Sequence, residues 1–346
     1  MIEFKLPSLG ADMTQGKLLE WKVKPGDRVR RGDVVAVVDT TKAAVEVEIW
    51  EEGSVHELVV QPGETVPVGT VMALLAAPGE AAGAETRRKI SPAARKRAAE
   101  LGVDLAAVKA SGPEGALTLE DVERARASSP PQEKPAERQA EMRKAIAAAM
   151  SRSKREIPHY YLSETVPLER AAAWLARENE KLPMTGRLLM AALLLKATAL
   201  ACKSHPDLNG HYRDGAFAPA AAVHVGVAIS LRQGGLVAPA IHDVDGLSLK
   251  ELMAALADLV RRARAGSLRS SEMSDPTITV TSLGEGGVET VFGVIYPPQV
   301  ALVGFGAVRQ NRVVASLSAD HRVSDGHRGA AFLAELTRRL QEPETL

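Results

Sequence analysis

Alternating apolar and polar positions open the chain, and the pattern occurs twice. Val23-Lys-Pro-Gly-Asp-Arg-Val-Arg-Arg-Gly-Asp-Val-Val-Ala-Val-Val38 returns as Val60-Gln-Pro-Gly-Glu-Thr-Val-Pro-Val-Gly-Thr-Val-Met-Ala-Leu-Leu75, with prolines, glycines and apolar positions in register. Each copy predicts a strand–turn–strand unit that is too small to bury a core alone. The two copies therefore predict one pseudo-symmetric β-domain over residues 1–76.

Lys42 lies between the two copies, in Asp39-Thr-Thr-Lys42-Ala43, with the apolar runs Val34–Val38 and Val45–Ile49 on either side. This pattern predicts a hairpin that places the Lys42 amine at its tip. A lone loop lysine is most often simply solvated. The duplicated frame around Lys42 is what makes it a candidate functional residue.

Two stretches without apolar periodicity, residues 77–88 and 127–139, predict linkers because they are rich in Ala, Gly, Pro and charge. Between them lies a block at 89–126. Ser91-Pro92 predicts a helix start, and Thr118-Leu-Glu-Asp121 resembles a capping box with Asp in place of Glu. Two short helices around a Gly/Pro loop indicate a very small domain with an interaction role.

The third block, residues 140–346, mixes both periodicities. Apolar residues at helical spacing form one stripe within Ser248–Arg264. Strand-like stretches occur at His159–Val166, Ala221–Ser230, Thr277–Thr281, Val300–Gly306 and Arg312–Ser318. This mixture predicts a two-layer α/β domain.

Composition narrows the function classes. The 346 residues contain 43 Lys+Arg and 43 Asp+Glu, and only 3% are aromatic, so neither charge nor stacking favours nucleic-acid binding. The single cysteine, Cys202, permits no internal disulfide and is expected in the core. We expect no membrane span, no targeting segment and a cytoplasmic protein.

The candidate catalytic residues lie in Ser318-Ala-Asp-His-Arg-Val-Ser-Asp-Gly-His327, between a predicted strand and a predicted helix. His321 at the end of a strand is well placed to face a cleft, and an imidazole suits proton transfer at neutral pH. Asp325 could orient the site or hold the local loop. Taken alone, the motif would fit an ordinary surface histidine beside an Asp-Gly turn.

Asp320-His-Arg-Val-Ser-Asp-Gly326 resembles the active-site motif shared by dihydrolipoamide acyltransferases and chloramphenicol acetyltransferase. Further stretches agree with the acyltransferase core in order and rough spacing: Arg143–Met150, Ile157–Tyr160, His205–Asn209, Gly235–Pro239 and Thr281–Gly284. The resemblance implies a chloramphenicol-acetyltransferase-like α/β catalytic domain. Ser324 and His327 stand where the family has a more apolar and a small residue, so either one could reshape the acyl pocket.

The resemblance also implies the chemistry. His321 acts as the general base that takes the proton from the thiol of coenzyme A, which then attacks the acyl-dihydrolipoamide. The oxyanion accepts a hydrogen bond from the hydroxyl of Thr281 or of the neighbouring Ser282, and the loss of such a donor typically costs about 10²–10³ in rate. Cys202 needs no role in this scheme.

Residues 1–76 resemble the lipoyl domain of the same complexes, an all-β flattened barrel or sandwich, which implies covalent lipoate at Lys42. Biotin carriers share the architecture and usually have methionine on both sides of the lysine. Thr41 and Ala43 therefore favour lipoate, although a biotin carrier subunit stays open as an alternative. Residues 89–126 resemble the α-helical peripheral-subunit-binding domain. Arg95 matches its first arginine, whereas Ala116 replaces the second and is expected to weaken docking.

The resemblance thus implies the E2 core of a 2-oxo acid dehydrogenase complex similar to the pyruvate dehydrogenase complex. Its implied partners are an E1 2-oxo acid decarboxylase and an E3 dihydrolipoamide dehydrogenase. The core is expected to form homotrimers with active sites at subunit interfaces, and the trimers a larger cage. The alternative is a non-catalytic lipoyl-bearing scaffold subunit. The acyl group, the cage size and the partner that docks on 89–126 stay open.

Overall fold

The computed structural model describes residues 1–9, 13–40, 44–76, 91–101, 108, 111–112, 116–127, 135–231 and 235–346. Its internal contacts divide into two compact units. The N-terminal unit contains Met1–Ser8 and Met13–Arg138, and the main part of the C-terminal unit is Gln139–Leu346. This boundary lies next to the predicted end of the second linker.

The described residues of the N-terminal unit begin with eight strands. They are β1 (Ile2–Lys5), β2 (Gln15–Trp21), β3 (Arg28–Val29), β4 (Val34–Asp39), β5 (Ala44–Glu48), β6 (Gly53–Leu58), β7 (Thr65–Pro67) and β8 (Val71–Ala76). One sheet has the order β1-β8-β6-β3, and the other contains β5-β4-β2-β7. Two antiparallel sheets that bury alternate residues confirm the predicted all-β fold.

The turns of the two sequence copies have similar backbone conformations. Gly26 and Gly63 have φ of 97° and 94°, and Gly32 and Gly69 have φ of 86° and 87°, a region that glycine adopts without steric cost. The turns are also closed alike: the Lys24 backbone nitrogen donates to the Asp27 carboxylate at 2.8 Å, and that of Gln61 to Glu64 at 2.9 Å. Each turn is therefore set by its own copy of the pattern.

Two helices follow, α1 (Pro92–Leu101) and α2 (Leu119–Ala127). The Ser91 hydroxyl accepts a hydrogen bond from the Ala94 backbone nitrogen at 3.1 Å, which confirms the predicted helix start. The predicted capping box is also present, since Thr118 N donates to the Asp121 carboxylate at 3.0 Å and Asp121 N to the Thr118 hydroxyl at 3.3 Å. The loop between the helices lies largely outside the described residues.

The next helix, α3 (Pro135–Glu156), starts inside the stretch 127–139 that the sequence predicted as a linker. The other helices of the C-terminal unit are α4 (Glu169–Glu180), α5 (Met190–Ser204), α6 (Leu249–Ala265), α7 (Ser270–Ser274) and α8 (Gly326–Gln341). Short 3-10 helices occupy Met184–Gly186, Pro206–Leu208, Gly284–Gly286 and Pro343–Thr345. The exact domain boundaries stay a prediction.

The strands of the C-terminal unit are β9 (His159–Pro167), β10 (Gly210–Arg213), β11 (Ala216–Pro219), β12 (Val225–Val227), β13 (Ile229–Ser230), β14 (Leu236–Val237), β15 (Ala240–Ile241), β16 (Leu268–Arg269), β17 (Ile278–Ser282), β18 (Ala301–Phe305) and β19 (Arg312–Asp320). Six of them form a mixed sheet in the order β15-β12-β17-β18-β19-β9. The pair β17–β18 is parallel, whereas β18–β19 and β19–β9 are antiparallel. The sheet and its helices confirm the predicted α/β class.

Helices α5, α6 and α8 form the core of this unit together with the mixed sheet. The predicted stripe of α6 is buried at Leu249, Leu252, Leu256, Leu259 and Ala263, and Ser248 with Glu251 forms its capping box. By length and hydropathy alone Met184–Ser204 would pass as a membrane span, but 61% of its apolar window is buried inside the fold. Cys202 on α5 is a core residue as expected, and burial raises the pKa of its thiol.

Candidate active site

The turn that follows β19 is held by the buried carboxylate of Asp320. It accepts hydrogen bonds from Arg322, at 2.9 Å from the backbone nitrogen and 2.7 Å from Nη2. The Asp320 carbonyl accepts two more, from the backbone nitrogens of Val323 and Ser324. The Arg322 guanidinium in turn lies 4.0 Å from the centre of the Tyr212 ring. These contacts fix the main chain on both sides of His321.

The exposed His321 imidazole extends from this fixed turn. Its backbone nitrogen donates to the Pro158 carbonyl at 3.0 Å, which ties the turn to the entry of β9. Its ring meets the Tyr160 ring edge to face, with the ring centres 5.4 Å apart. Within the described part of the chain neither ring nitrogen of His321 makes a hydrogen bond. The imidazole can therefore exchange a proton with a substrate that approaches from solvent.

Asp325 caps α8, four residues beyond His321. Its carboxylate accepts a hydrogen bond from the Arg328 backbone nitrogen at 3.0 Å. This bond, a second one from the His327 backbone and the nearby charges of His327 and His321 lower the pKa of Asp325. This cap agrees with the loop-holding role, one of the two that the sequence left open for Asp325. Its interaction with His321 is electrostatic.

Thr281 and Ser282 lie at the opposite end of the sheet from His321. Thr281 on β17 pairs with Gly304 on β18, and Gly304 pairs with Ser316 on β19. His321 is five residues beyond Ser316, which corresponds to about 16 Å along the strands. One chain therefore does not bring the predicted hydroxyls to the imidazole. The sequence could not show this, because the register of distant strands has no local signal.

Tyr160 is a site residue that the sequence did not single out. The only hint was its position in Ile157-Pro-His-Tyr160, a family-like stretch. Tyr160 is half-buried on β9 directly opposite Ala319, and its hydroxyl is 2.8 Å from the Ser324 hydroxyl. Burial raises the pKa of the Tyr160 hydroxyl. It therefore forms part of the immediate surroundings of His321.

Lys42 itself lies outside the described residues, together with Thr41 and Ala43. The flanking strands are described, and their last pair is Asp39 with Ala44. This pairing agrees with a hairpin whose connecting segment contains the lysine. In the helical segment Arg95 is exposed and Ala116 is half-buried. Both positions that the sequence analysis named for docking are thus described.

Three sequence families match the chain. They are 2-oxoacid dehydrogenases acyltransferase (catalytic domain) at residues 131–346, biotin-requiring enzyme at residues 2–75, and e3 binding domain at residues 88–123. One relative is the dihydrolipoyllysine-residue acetyltransferase component of the acetoin cleaving system of Bacillus subtilis. It is 31% identical, over 100% of this chain and 99% of the relative.

Solved structures match the C-terminal part. One is the dihydrolipoamide acetyltransferase of Azotobacter vinelandii, studied for the role of a serine, a histidine and an asparagine in its catalytic mechanism. It is 29% identical with a TM-score of 0.56, over 59% of this chain and 89% of that chain. The cubic core of the pyruvate dehydrogenase multienzyme complex matches with the same identity, coverage and TM-score.

Proposed function

The chain belongs to the 2-oxoacid dehydrogenase acyltransferase family, and we propose that it is the E2 component of a 2-oxo acid dehydrogenase complex. It transfers an acyl group from lipoate on Lys42 to coenzyme A. We take the acyl group to be acetyl, because the matched relatives are acetyltransferases. The observation that carries the proposal is the exposed His321 imidazole on a turn that buried Asp320 holds rigid.

The residues of the chain fit the chemistry of both groups. Lys42 supplies the primary amine that the lipoyl carboxyl needs for an amide bond, and the lipoyl group, when bound, presents the acyl group as a thioester. His321 takes the proton of the coenzyme A thiol, since a free thiol with a pKa of about 8.5 is mostly protonated at neutral pH. The same imidazole then gives that proton to the departing lipoyl sulfur.

We propose that the hydroxyl that donates to the oxyanion comes from a second copy of the chain and lies beside His321 of the first. Within one chain, Thr281 lies about 16 Å and Ser282 about 20 Å along the strands from His321, too far for a shared reaction centre. A homotrimer with sites between its subunits brings the two ends of neighbouring sheets together. Trimers that assemble into a cage agree with the match to a cubic core.

The function is tested by acetyl transfer from acetyl-CoA to free dihydrolipoamide. We expect turnover by the purified chain and a loss of at least about 10²-fold in His321→Ala, because that is the usual contribution of a general base. Sedimentation should show the same assembly for both proteins. His56→Ala, which changes an exposed histidine of the N-terminal unit, serves as the control. Turnover that survives His321→Ala would remove this residue from the mechanism, and no turnover with any acyl donor would favour the scaffold alternative.

The shared site is tested by mixing two inactive chains. His321→Ala and Thr281→Val should each be strongly impaired alone, whereas coexpressed chains regain activity at interfaces that pair the intact hydroxyl with the intact imidazole. Replacing Thr281→Val by Ser282→Ala in the same assay identifies the hydroxyl that acts. If coexpression gives only the average of the two parents, each site is built within one chain.

For the helical segment we propose docking of an acidic surface on the E3 dihydrolipoamide dehydrogenase, and E1 decarboxylase is the other candidate partner. The match of residues 88–123 to the e3 binding domain and the exposed Arg95 support it. Because Ala116 lacks the second positive charge, Ala116→Arg should tighten E3 binding by about tenfold, and Arg95→Ala should weaken it similarly. Titration calorimetry with each partner measures both changes. Unchanged affinities would place the docking surface elsewhere.

We further propose a cytoplasmic location. Two observations support it: the one cysteine, Cys202, is buried and stays a thiol, and the relatives named above include a bacterial one. A reducing compartment is where such a protein functions without disulfides. Cell fractionation with an antibody against the chain tests the location, and recovery outside the cytoplasmic fraction would contradict it.

A further inference from the structure

We propose that Tyr160, held by Ser324, is a positioning residue that keeps the His321 imidazole in the orientation needed for proton transfer. This inference rests on the proposed catalytic role of His321. In this role Tyr160 acts through the imidazole rather than on the reacting atoms. Three contacts of Tyr160 support it, one to the imidazole and two that fix the phenol ring itself.

The first contact is the edge-to-face arrangement of the two rings. Their centres are 5.4 Å apart and their planes make an angle of 72°. Such a geometry is favourable because the positive edge of one ring meets the negative face of the other. Since neither nitrogen of His321 makes a hydrogen bond within the described residues, this ring contact is the main described restraint on how the imidazole is turned.

The second contact is the packing of the Tyr160 ring against α8. A Cβ added at Gly329 would lie 2.9 Å from both Cε2 and the hydroxyl oxygen of Tyr160, so the phenol packs directly on the helix backbone. Tyr160 is also paired with Ala319 on β19, the strand that leads to His321. The phenol is therefore fixed between the strand that ends at the imidazole and the helix that begins after it.

The third contact is the hydrogen bond between the hydroxyls of Tyr160 and Ser324, 2.8 Å apart. Ser324 is buried and belongs to the same turn as His321. The acyltransferase family has a more apolar residue at this position of the motif. In this chain the serine ties the far end of the phenol to the catalytic turn, so that the turn, the phenol and the imidazole form a closed ring of contacts.

A base whose ring rotates freely spends less time aimed at the thiol, which lowers the turnover rate without changing substrate binding. Tyr160→Phe and Ser324→Ala should each lower kcat about two- to tenfold, the range of one hydrogen bond, with KM for coenzyme A nearly unchanged. Because both changes break the same bond, the double variant should be no slower than the slower single variant. Tyr160→Leu, which removes the aromatic ring, should lower kcat by about 10–100-fold.

The matched control is Tyr161→Phe, since Tyr161 is the next residue on β9 and its hydroxyl bonds with Lys154. It should retain the kcat of the unchanged chain. All rates are compared in assembled protein that is active with free dihydrolipoamide, so an inactive unchanged chain refutes the function rather than this inference. A normal kcat in Tyr160→Phe and Ser324→Ala, or losses that multiply in the double variant, would overturn the positioning role. So would a lower melting temperature with unchanged turnover.

Discussion

Two buried aspartates, Asp121 and Asp320, each accept several hydrogen bonds, but the bonds have different structural roles. Asp121 accepts hydrogen bonds from Ser111 and Thr118, so it connects the start of α2 to a residue ten positions earlier. Asp320 accepts bonds only from Arg322, two positions later, among its described side-chain contacts. A carboxylate that joins separate segments stabilises a fold, whereas one that closes its own turn fixes the neighbouring residue. In the second case that neighbour is His321.

The first consequence is the largest and concerns Asp121. Asp121→Ala removes the acceptor of every one of these bonds in a segment with a very small core, so we expect the helical segment to unfold. Binding of the E3 partner should disappear, while transfer to free dihydrolipoamide should continue at the original rate. Calorimetric titration and the half-reaction assay measure the two effects. Retained E3 binding would show that other contacts hold this segment.

Asp320→Asn should have the opposite profile. The asparagine keeps the shape but loses the charge that pairs with Arg322, so the turn that carries His321 loosens. We expect kcat to fall about 10–100-fold, the range associated with a misplaced catalytic group, while the assembly persists. Arg322→Lys keeps the charge and loses the forked geometry, so its effect should be smaller. If Asp320→Asn prevented assembly, Asp320 would instead be a folding residue like Asp121.

The smallest expected effect is a pH dependence of the stability of the C-terminal unit, which contains Asp320. His159 pairs with Asp320 across the strands, accepts the Ile295 backbone N–H at Nε2 and donates from Nδ1 to the Ile157 carbonyl. Burial lowers the pKa of His159, so the unfolded chain takes up its proton at higher pH than the folded chain. The stability from neutral His159 is therefore complete above pH of about 6.5 and is lost as the pH falls through the folded-state pKa.

Thermal denaturation at a series of pH values measures this contribution. Acidification should lower the Tm of the C-terminal unit by a few degrees. His159→Gln should remove that dependence. The segment around Asp121 should not respond in this window, because hydrogen bonds from Ser111 and Thr118 lower the pKa of Asp121 and its stabilisation is lost only in stronger acid. Equal slopes for the unchanged chain and His159→Gln would contradict this assignment.

Much of this architecture follows from local patterns in the sequence. The repeated Pro-Gly turns, the caps at Ser91 and Thr118 and the buried stripe of α6 each depend on residues within a few positions of one another. They could be predicted because turn chemistry and helical spacing act over that range. The motif around His321 likewise places the base at the end of a strand.

What could not be predicted depends on contacts between distant segments. Tyr160 meets His321 because β9 lies beside β19, although more than a hundred residues separate them. The distance of Thr281 from His321 follows from the order β17-β18-β19 and its register. Apolar spacing records which face of a strand is buried, but it does not record which strand lies next to it.

The separation of Thr281 from His321 has a consequence for the newly made protein. If the two groups act together, a freshly translated chain holds both halves of a reaction centre and can use neither. Unassembled chains would then not catalyse transfer between acyl thioesters and coenzyme A in the cell. Activity would appear only after the oligomer has assembled. Dilution into conditions that dissociate the assembly should abolish acyl transfer before any chain unfolds.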